Sequence, residues 1–273
     1  MPYLTAIDGT QLHYTDVGSG TPVVFLHSWA LSSQMWRYQM LDLAERGHRC
    51  IAMDRRGHGL SEKPWDGYNF DSLADDLAVL IEHLDLRGIV LVGHSTGTGE
   101  VVRYLTRHGS DRISQAVLAA TITPLLARRP DYPQGLDPAN FDQMRVDFRA
   151  DLPNWAARIA GPFFGLDLPE VDISEAQVAW SINDTHTVSP RAMIELSYAM
   201  SETDFRAELP RIDVPTLVVH GLEDLFNPFD LCAKPTASLI PEATLAAYEH
   251  GPHGLHLTHR DRLTRDLADF ITA

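Results

Sequence analysis

The chain is poor in cysteine, lacks any long apolar run, and carries far fewer basic than acidic side chains. Its two cysteines, Cys50 and Cys232, are too few for a disulfide framework or a four-cysteine zinc site. The simplest state is two reduced thiols in a reducing compartment. No apolar stretch approaches the roughly 20 residues that cross a bilayer. The polar start from Met1 to Gly20 has no basic segment followed by an apolar core, so neither a membrane span nor a secretory leader is expected. Lysine and arginine number 22 against 37 aspartates and glutamates, a net charge of −15. That charge repels phosphates and argues against nucleic acid or an anionic membrane as a partner. Repeats and low-complexity tracts are missing too. The expectation is a cytoplasmic globular chain, one domain over 1–273, long enough for a sizeable core.

What is present is an alternation. Val23–His27, Ile89–Gly93, Ala116–Ala120 and Thr216–His220 are continuous apolar runs of strand length, and Cys50–Met53 is a weaker one. Runs without polar alternation suit parallel strands buried on both faces. Helical spacing lies between them. Leu73, Leu77, Leu80, Ile81 and Leu84 recur at three- and four-residue steps behind Asp71, which is placed to act as N-cap. Glu100–His108 and Asp261–Ile271 read as helices as well. Together these predict an α/β fold with a doubly wound, mostly parallel sheet. The alternation breaks over about 121–211, a stretch rich in proline and aromatics. Short helices are expected there, for example over Ser174–Asn183 and Pro190–Ser201, forming a helical lid inserted over the sheet.

Gly93-His94-Ser95-Thr96-Gly97 follows a strand and precedes a helix, matching Gly-x-Ser-x-Gly. A serine on so tight a turn needs small neighbours, because a side chain at 93 or 97 would clash. The turn lifts the hydroxyl out of the sheet and aims helix N–H groups at the same spot. A serine hydroxyl is a weak nucleophile and needs a base oriented by a third group. Such partners belong on loops at the carboxyl ends of later strands. After Thr216–His220 comes Glu223-Asp224; after an apparent strand Thr244–Tyr248 comes the segment from Glu249 to Gly254, with His250 and His253. The order Ser95, Asp224, His253 suits the arrangement. Glu223 competes with Asp224 as the acid, and His250 and His256 compete with His253 as the base.

These pieces resemble an α/β-hydrolase, and more narrowly the cofactor-free (non-haem) haloperoxidase, aryl esterase and γ-lactamase group. The likeness runs through Phe25–Trp29, Asp54–Gly59, Gly93–Glu100, Thr203–Arg206, Ile212–Pro215 and Gly251–Leu255. It is weakest from Pro124 to Ser201. The resemblance implies Ser95 as nucleophile, His253 as base and Asp224 as its orienter. Two backbone N–H groups would form the oxyanion hole: that of Thr96, directly after the nucleophile, and, by resemblance, that of Trp29. Two departures stand out. Ser28 replaces the group's usual glycine. Ala30 stands where some relatives carry a proline associated with peracid formation, which favours hydrolysis over perhydrolysis. The resemblance also implies a homo-oligomer.

His250, His253, His256 and His259 recur every third residue, but Gly251, Pro252 and Gly254 interrupt any helix that would align them on a metal, so no metal is expected. His94 reads as a packed neighbour of the serine, and His27 as a support for the oxyanion loop. Gly97-Thr98-Gly99 lacks the third glycine of a dinucleotide fingerprint, since Val102 stands there, so no cofactor is expected. Trp29, Phe163, Trp180 and Phe226 are the expected pocket walls. The expected partner is a small acyl compound: an ester, lactone or lactam. A perhydrolase making peracids from carboxylic acid and peroxide needs the same residues. A ligand-binding receptor that has lost turnover is the reading from another class.

Overall fold

In the computed structural model, which describes residues 2–273, the apolar runs form one eight-stranded sheet. The strands are β1 (Tyr3–Thr5), β2 (Gln11–Gly18), β3 (Thr21–Leu26), β4 (His48–Met53), β5 (Ile89–His94), β6 (Ile113–Ala119), β7 (Thr216–Gly221) and β8 (Ala243–Tyr248). Their spatial order is β1-β2-β4-β3-β5-β6-β7-β8. The pairs β1–β2 and β2–β4 are antiparallel and every other pair is parallel. The amino-terminal hairpin was not expected. β1 is three residues long, and β2 mixes polar with apolar residues and is exposed over its last three, so neither reads as a doubly buried strand.

The helices are α1 (Arg37–Glu45), α2 (Phe70–His83), α3 (Thr96–His108), α4 (Pro138–Ala150), α5 (Leu152–Phe164), α6 (Glu175–Thr185), α7 (Pro190–Glu202), α8 (Ala233–Leu239), α9 (Leu255–Thr258) and α10 (Arg260–Thr272). None is long and apolar enough to cross a membrane. Successive strand side chains point to opposite faces, and two cores result. Val24, Leu26, Ile51 and Leu91 pack with Leu73 and Leu77 of α2 and Val101 and Leu105 of α3. Val23, Phe25, Ala52 and Val92 pack with Met40 and Leu43 of α1 and Leu263 and Leu267 of α10. Each of these buried side chains larger than alanine contributes about 1.5–3 kcal/mol. Both cysteines are free and buried, and burial pushes the Cys50 thiol up to about 12, which leaves it unreactive.

Two helix starts differ from expectation. Asn69, not Asp71, caps α2: its backbone is extended and its side chain accepts from Ser72 N at 3.0 Å. Asp71 lies in the first turn and pairs with Arg103. α3 begins at Thr96, directly behind the serine, rather than at Glu100. Gly97 and Gly99 hid that start, since glycine disfavours helix. Gly99 is needed for packing, because a Cβ there would lie 2.5 Å from Phe70 Cε1 of α2.

Four helices, α4 to α7, lie between β6 and β7. α6 and α7 match the two short helices expected over Ser174–Asn183 and Pro190–Ser201, and α4 and α5 lie in the same stretch without bounds read from the sequence. Side-chain caps begin all four, from Asp137, Asp151, Ser174 and Ser189.

Buried histidines set the acid stability. Burial, reinforced by Arg55, pushes His58 down to about 3, and burial with the His253 charge does the same to His256. His27 and His94 are lowered well below the usual value by burial. In the unfolded chain each takes up a proton near pH 6.5. Below that pH the unfolded state therefore binds more protons, so stability is full above about 6.5 and falls as the pH drops towards 3. Each such histidine contributes up to about 1.4 kcal/mol per pH unit in that window. Urea midpoints should fall steeply between pH 7.5 and pH 5; a flat profile would contradict the neutral burial of these rings.

Candidate active site

Ser95 sits between β5 and α3 with φ 53° and ψ −117°. A non-glycine residue takes such a conformation only where its surroundings enforce it. The flanking glycines are required. A Cβ at Gly93 would lie 2.5 Å from Gly97 O, and one at Gly97 would strike Leu26 O of β3. Hydrogen bonds hold the turn: Ser95 N donates to Ala119 O at 2.9 Å, and Thr98 donates to Ser95 O through N (2.9 Å) and Oγ1 (2.6 Å).

The acid and the imidazole meet beyond β7 and β8. His253 Nδ1 donates to Asp224 Oδ2 at 2.7 Å. An ionised carboxylate only accepts, so the proton is on Nδ1 and Nε2 is free to accept one. Oδ1 of Asp224 accepts from the Phe226 and Asn227 amides, each at 2.9 Å. His220 Nε2 donates to Asn227 O at 2.7 Å and lies 3.3 Å from Asp224 Oδ2. Burial alone would raise the Asp224 carboxyl, but His253 and His220 beside it hold it well below the usual carboxylate range. The two loops approach at glycines: a Cβ on Gly221 would strike Gly251 O. Glu223 joins the two loops only through its backbone, donating from N to Gly251 O at 3.0 Å; its side chain is exposed and takes no part in the network. Of the competing histidines, only His253 pairs with Asp224. His256 is buried without a partner on either ring nitrogen, and His94 donates from Nε2 to His253 O at 3.0 Å.

The loop from Ser28 to Leu31 follows β3. His27 Nε2 accepts from Arg55 N at 2.9 Å, which leaves Nδ1–H to donate to Ser28 O at 2.7 Å. Arg55 reaches His27 O at 2.6 Å and pairs with buried Glu100. His27 thus supports the loop, as expected. The Asp54–Gly59 motif is its scaffold: Asp54 Oδ1 accepts from Ser33 N at 2.8 Å, and a Cβ at Gly59 would strike the Asp54 carboxylate. Ser28 needs no left-handed backbone; the positive φ falls on Ala30 at 65°. Proline, locked near −65°, cannot take that conformation. Among the described residues, no group accepts from the Trp29 or Thr96 amide.

A cavity of about 840 Å³, counting its open mouth, joins these parts. Ser95, His253, Trp29, Phe163 and Phe226 all line it. Trp180 does not, which corrects its expected place as a wall. One residue along a helix turns the side chain by about 100°. Ser181, Ile182 and Thr185 of α6 face the cavity, while Trp180 faces the Arg37 guanidinium, 5.6 Å from its ring centroid. Sequence reasoning missed Phe141, Met144, Trp155 and Ile159, which line the cavity from α4 and α5. Trp155 stands edge-on to Trp29 with ring centroids 5.6 Å apart. Among the described lining residues none is Lys, Arg, Asp or Glu.

The sheet, the strained serine turn and the loop-borne acid and imidazole define the class. The chain belongs to the alpha/beta hydrolase fold family, whose profile matches residues 21–260. Among particular proteins, it is 42% identical over 272 residues to a non-heme haloperoxidase of Rhodococcus erythropolis, covering 99% of each chain. It is 38% identical over 280 residues, again 99% of each, to a bifunctional esterase/perhydrolase of Acinetobacter calcoaceticus. It superposes on the crystal structure of a bromoperoxidase from Bacillus anthracis with a TM-score of 0.93, at 35% identity over 100% of each chain. The resemblance read from the motifs is borne out.

Proposed function

We propose that the protein is a serine hydrolase acting on small to medium neutral esters, with α4 to α7 as its lid. The observation that carries this is the strained Ser95 sharing one cavity with a His253 already polarised by ionised Asp224. Ser95 Oγ attacks the carbonyl carbon while His253 Nε2 takes its proton. The amides of Trp29 and Thr96, free of other acceptors, bind the developing oxyanion, each worth about 3 kcal/mol in comparable sites. The imidazolium then protonates the leaving alcohol as the C–O bond breaks, leaving an acyl-enzyme. Water, deprotonated by His253, releases the acid and restores Ser95. Asp224 stays ionised throughout.

The uncharged, aromatic wall supports a neutral substrate with an aryl or alicyclic group, since burying an unpaired charge there is costly. Lactones and lactams of that character fit the same chemistry. A second reading, peracid formation from a carboxylic acid and hydrogen peroxide, is favoured by the haloperoxidase and perhydrolase relatives. The left-handed Ala30 argues for hydrolysis, because the loop cannot accept proline there unaltered. Initial rates on aryl esters, lactones and lactams, beside acetate-plus-peroxide bromination, test both. Neutral aryl ester cleavage should be fastest, with kcat/KM about 100-fold above that for a carboxylate-bearing analogue. Faster bromination than hydrolysis, or a preference for the charged ester, would overturn the assignment.

A further inference from the structure

We infer that Asp184, on the lid, is a positioning residue that latches the oxyanion loop, an inference that rests on the role proposed for the Trp29 amide. Asp184 is the penultimate residue of α6. Its Oδ2 accepts from Ser32 N at 2.7 Å and its Oδ1 from Ser32 Oγ at 2.8 Å, bridging 152 positions of sequence. Ser32 is the third residue after Trp29 and caps the 3-10 turn Ser33–Trp36 that closes the loop. The next amide, Ser33 N, is held by Asp54. Two consecutive amides are therefore gripped by two carboxylates, one from the sheet side and one from the lid.

Helix physics disfavours an acid where Asp184 stands. The carboxyl end of a helix is the negative end of its dipole, and α6 has no basic residue in its last turn. Burial and the charge of Asp54 both act against the Asp184 anion, and the two Ser32 donors counter them only in part, so the carboxyl stays raised. A residue that conflicts with its local element and is repaid only by a distant contact marks a functional constraint. What the contact constrains is also strained: Ala30 holds φ 65° without being glycine, and the Leu31 N to Ser28 O turn bond is long, at 3.4 Å. A strained turn persists only where its ends are fixed. His27, Arg55 and Met35 fix the leading end, through Ser28 O and Ser28 N; Asp184 and Asp54 fix the trailing one. The lid thereby sets the aim of a donor that matters only once the oxyanion forms, so its loss lowers kcat and leaves KM nearly unchanged.

The test uses Asp184→Asn, whose amide cannot accept both Ser32 donors with the same strength, and Ser32→Ala, which deletes the hydroxyl contact to Asp184 together with the long cap bond from Gln34 N and leaves the lid intact. Hydrogen exchange over residues 28–36 reads the latch; kcat and KM for a small aryl acetate read its consequence. Asp184→Asn should exchange faster across 28–36 and lose about tenfold in kcat with KM within about threefold. Ser32→Ala should show the same pattern more weakly at Ser32 and Ser33, and Asp184→Ser, which shortens the acceptor but keeps the Ser32 cap on Gln34 N, decides the matter if Asp184→Asn does not fold. Unchanged exchange, or a raised KM at unchanged kcat as for a residue that merely anchors the lid, would overturn the inference. Absence of ester turnover in the unaltered protein would refute the hydrolase reading instead, and exchange over 28–36 would still decide the latch.

Discussion

Replacing Ser95 with alanine should lower turnover of an activated aryl ester by about a millionfold while the protein stays folded. The size follows from the way a nucleophile and its base act as one unit: losing either costs about as much as losing all. The background that survives comes from the oxyanion donors and from substrate binding, neither of which the substitution removes. Alanine suits the site sterically, since it is smaller than serine, but the φ of 53° strains any side chain there equally. Stability should therefore change little, and a thermal midpoint measured beside kcat separates lost chemistry from lost fold. Activity near that of the unaltered protein would remove Ser95 from the mechanism.

The second large effect is expected from Asp224→Asn, about 10⁴-fold in kcat. Asparagine keeps the shape of the side chain but turns one oxygen into an NH₂ donor. If that group faces His253, the ring must accept at Nδ1, which moves its proton to Nε2 and blocks it as a base. If the amide turns the other way, its NH₂ faces the Phe226 and Asn227 amides, which are themselves donors. Either orientation loses hydrogen bonds in a buried site, so a loss of stability accompanies the loss of rate. KM should move little, since Asp224 does not line the cavity. A small kcat effect would mean that His253 does not depend on this carboxylate, and Glu223→Gln should be nearly silent because Glu223 is exposed.

The parts of the molecule legible in its sequence are those where physics acts locally. Val23–His27 and Ile89–Gly93 announce themselves because a strand covered on both faces has no polar side to show. Ser95 is legible because its turn demands glycine at 93 and 97. Asp224 and His253 follow from strand ends, which the topology brings together. The illegible parts depend on distant contacts. Gly221 and Gly251 are unremarkable glycines until their loops are seen to touch. Trp155 and Phe141 read as core, and only the packing of α4 and α5 turns them to the cavity. Trp180 misled for the opposite reason: an aromatic in the helices between β6 and β7 is a reasonable wall, but its position on α6 points it at Arg37. Asp184 gives no sign at all without its partner 152 residues away. The starts of α4 and α5 were readable in principle from Asp137-Pro138 and Asp151-Leu152-Pro153, where an acidic cap precedes a first-turn proline.

The most direct test of Ser95 as an activated nucleophile is reaction with a fluorophosphonate followed by peptide mass spectrometry. Ser95 Oγ should displace fluoride, leaving one phosphonyl group per chain on the peptide that contains Ser95, and His253→Ala should slow the reaction by orders of magnitude. A folded protein that leaves Ser95 unmodified, or that carries the adduct on another residue, would contradict the account.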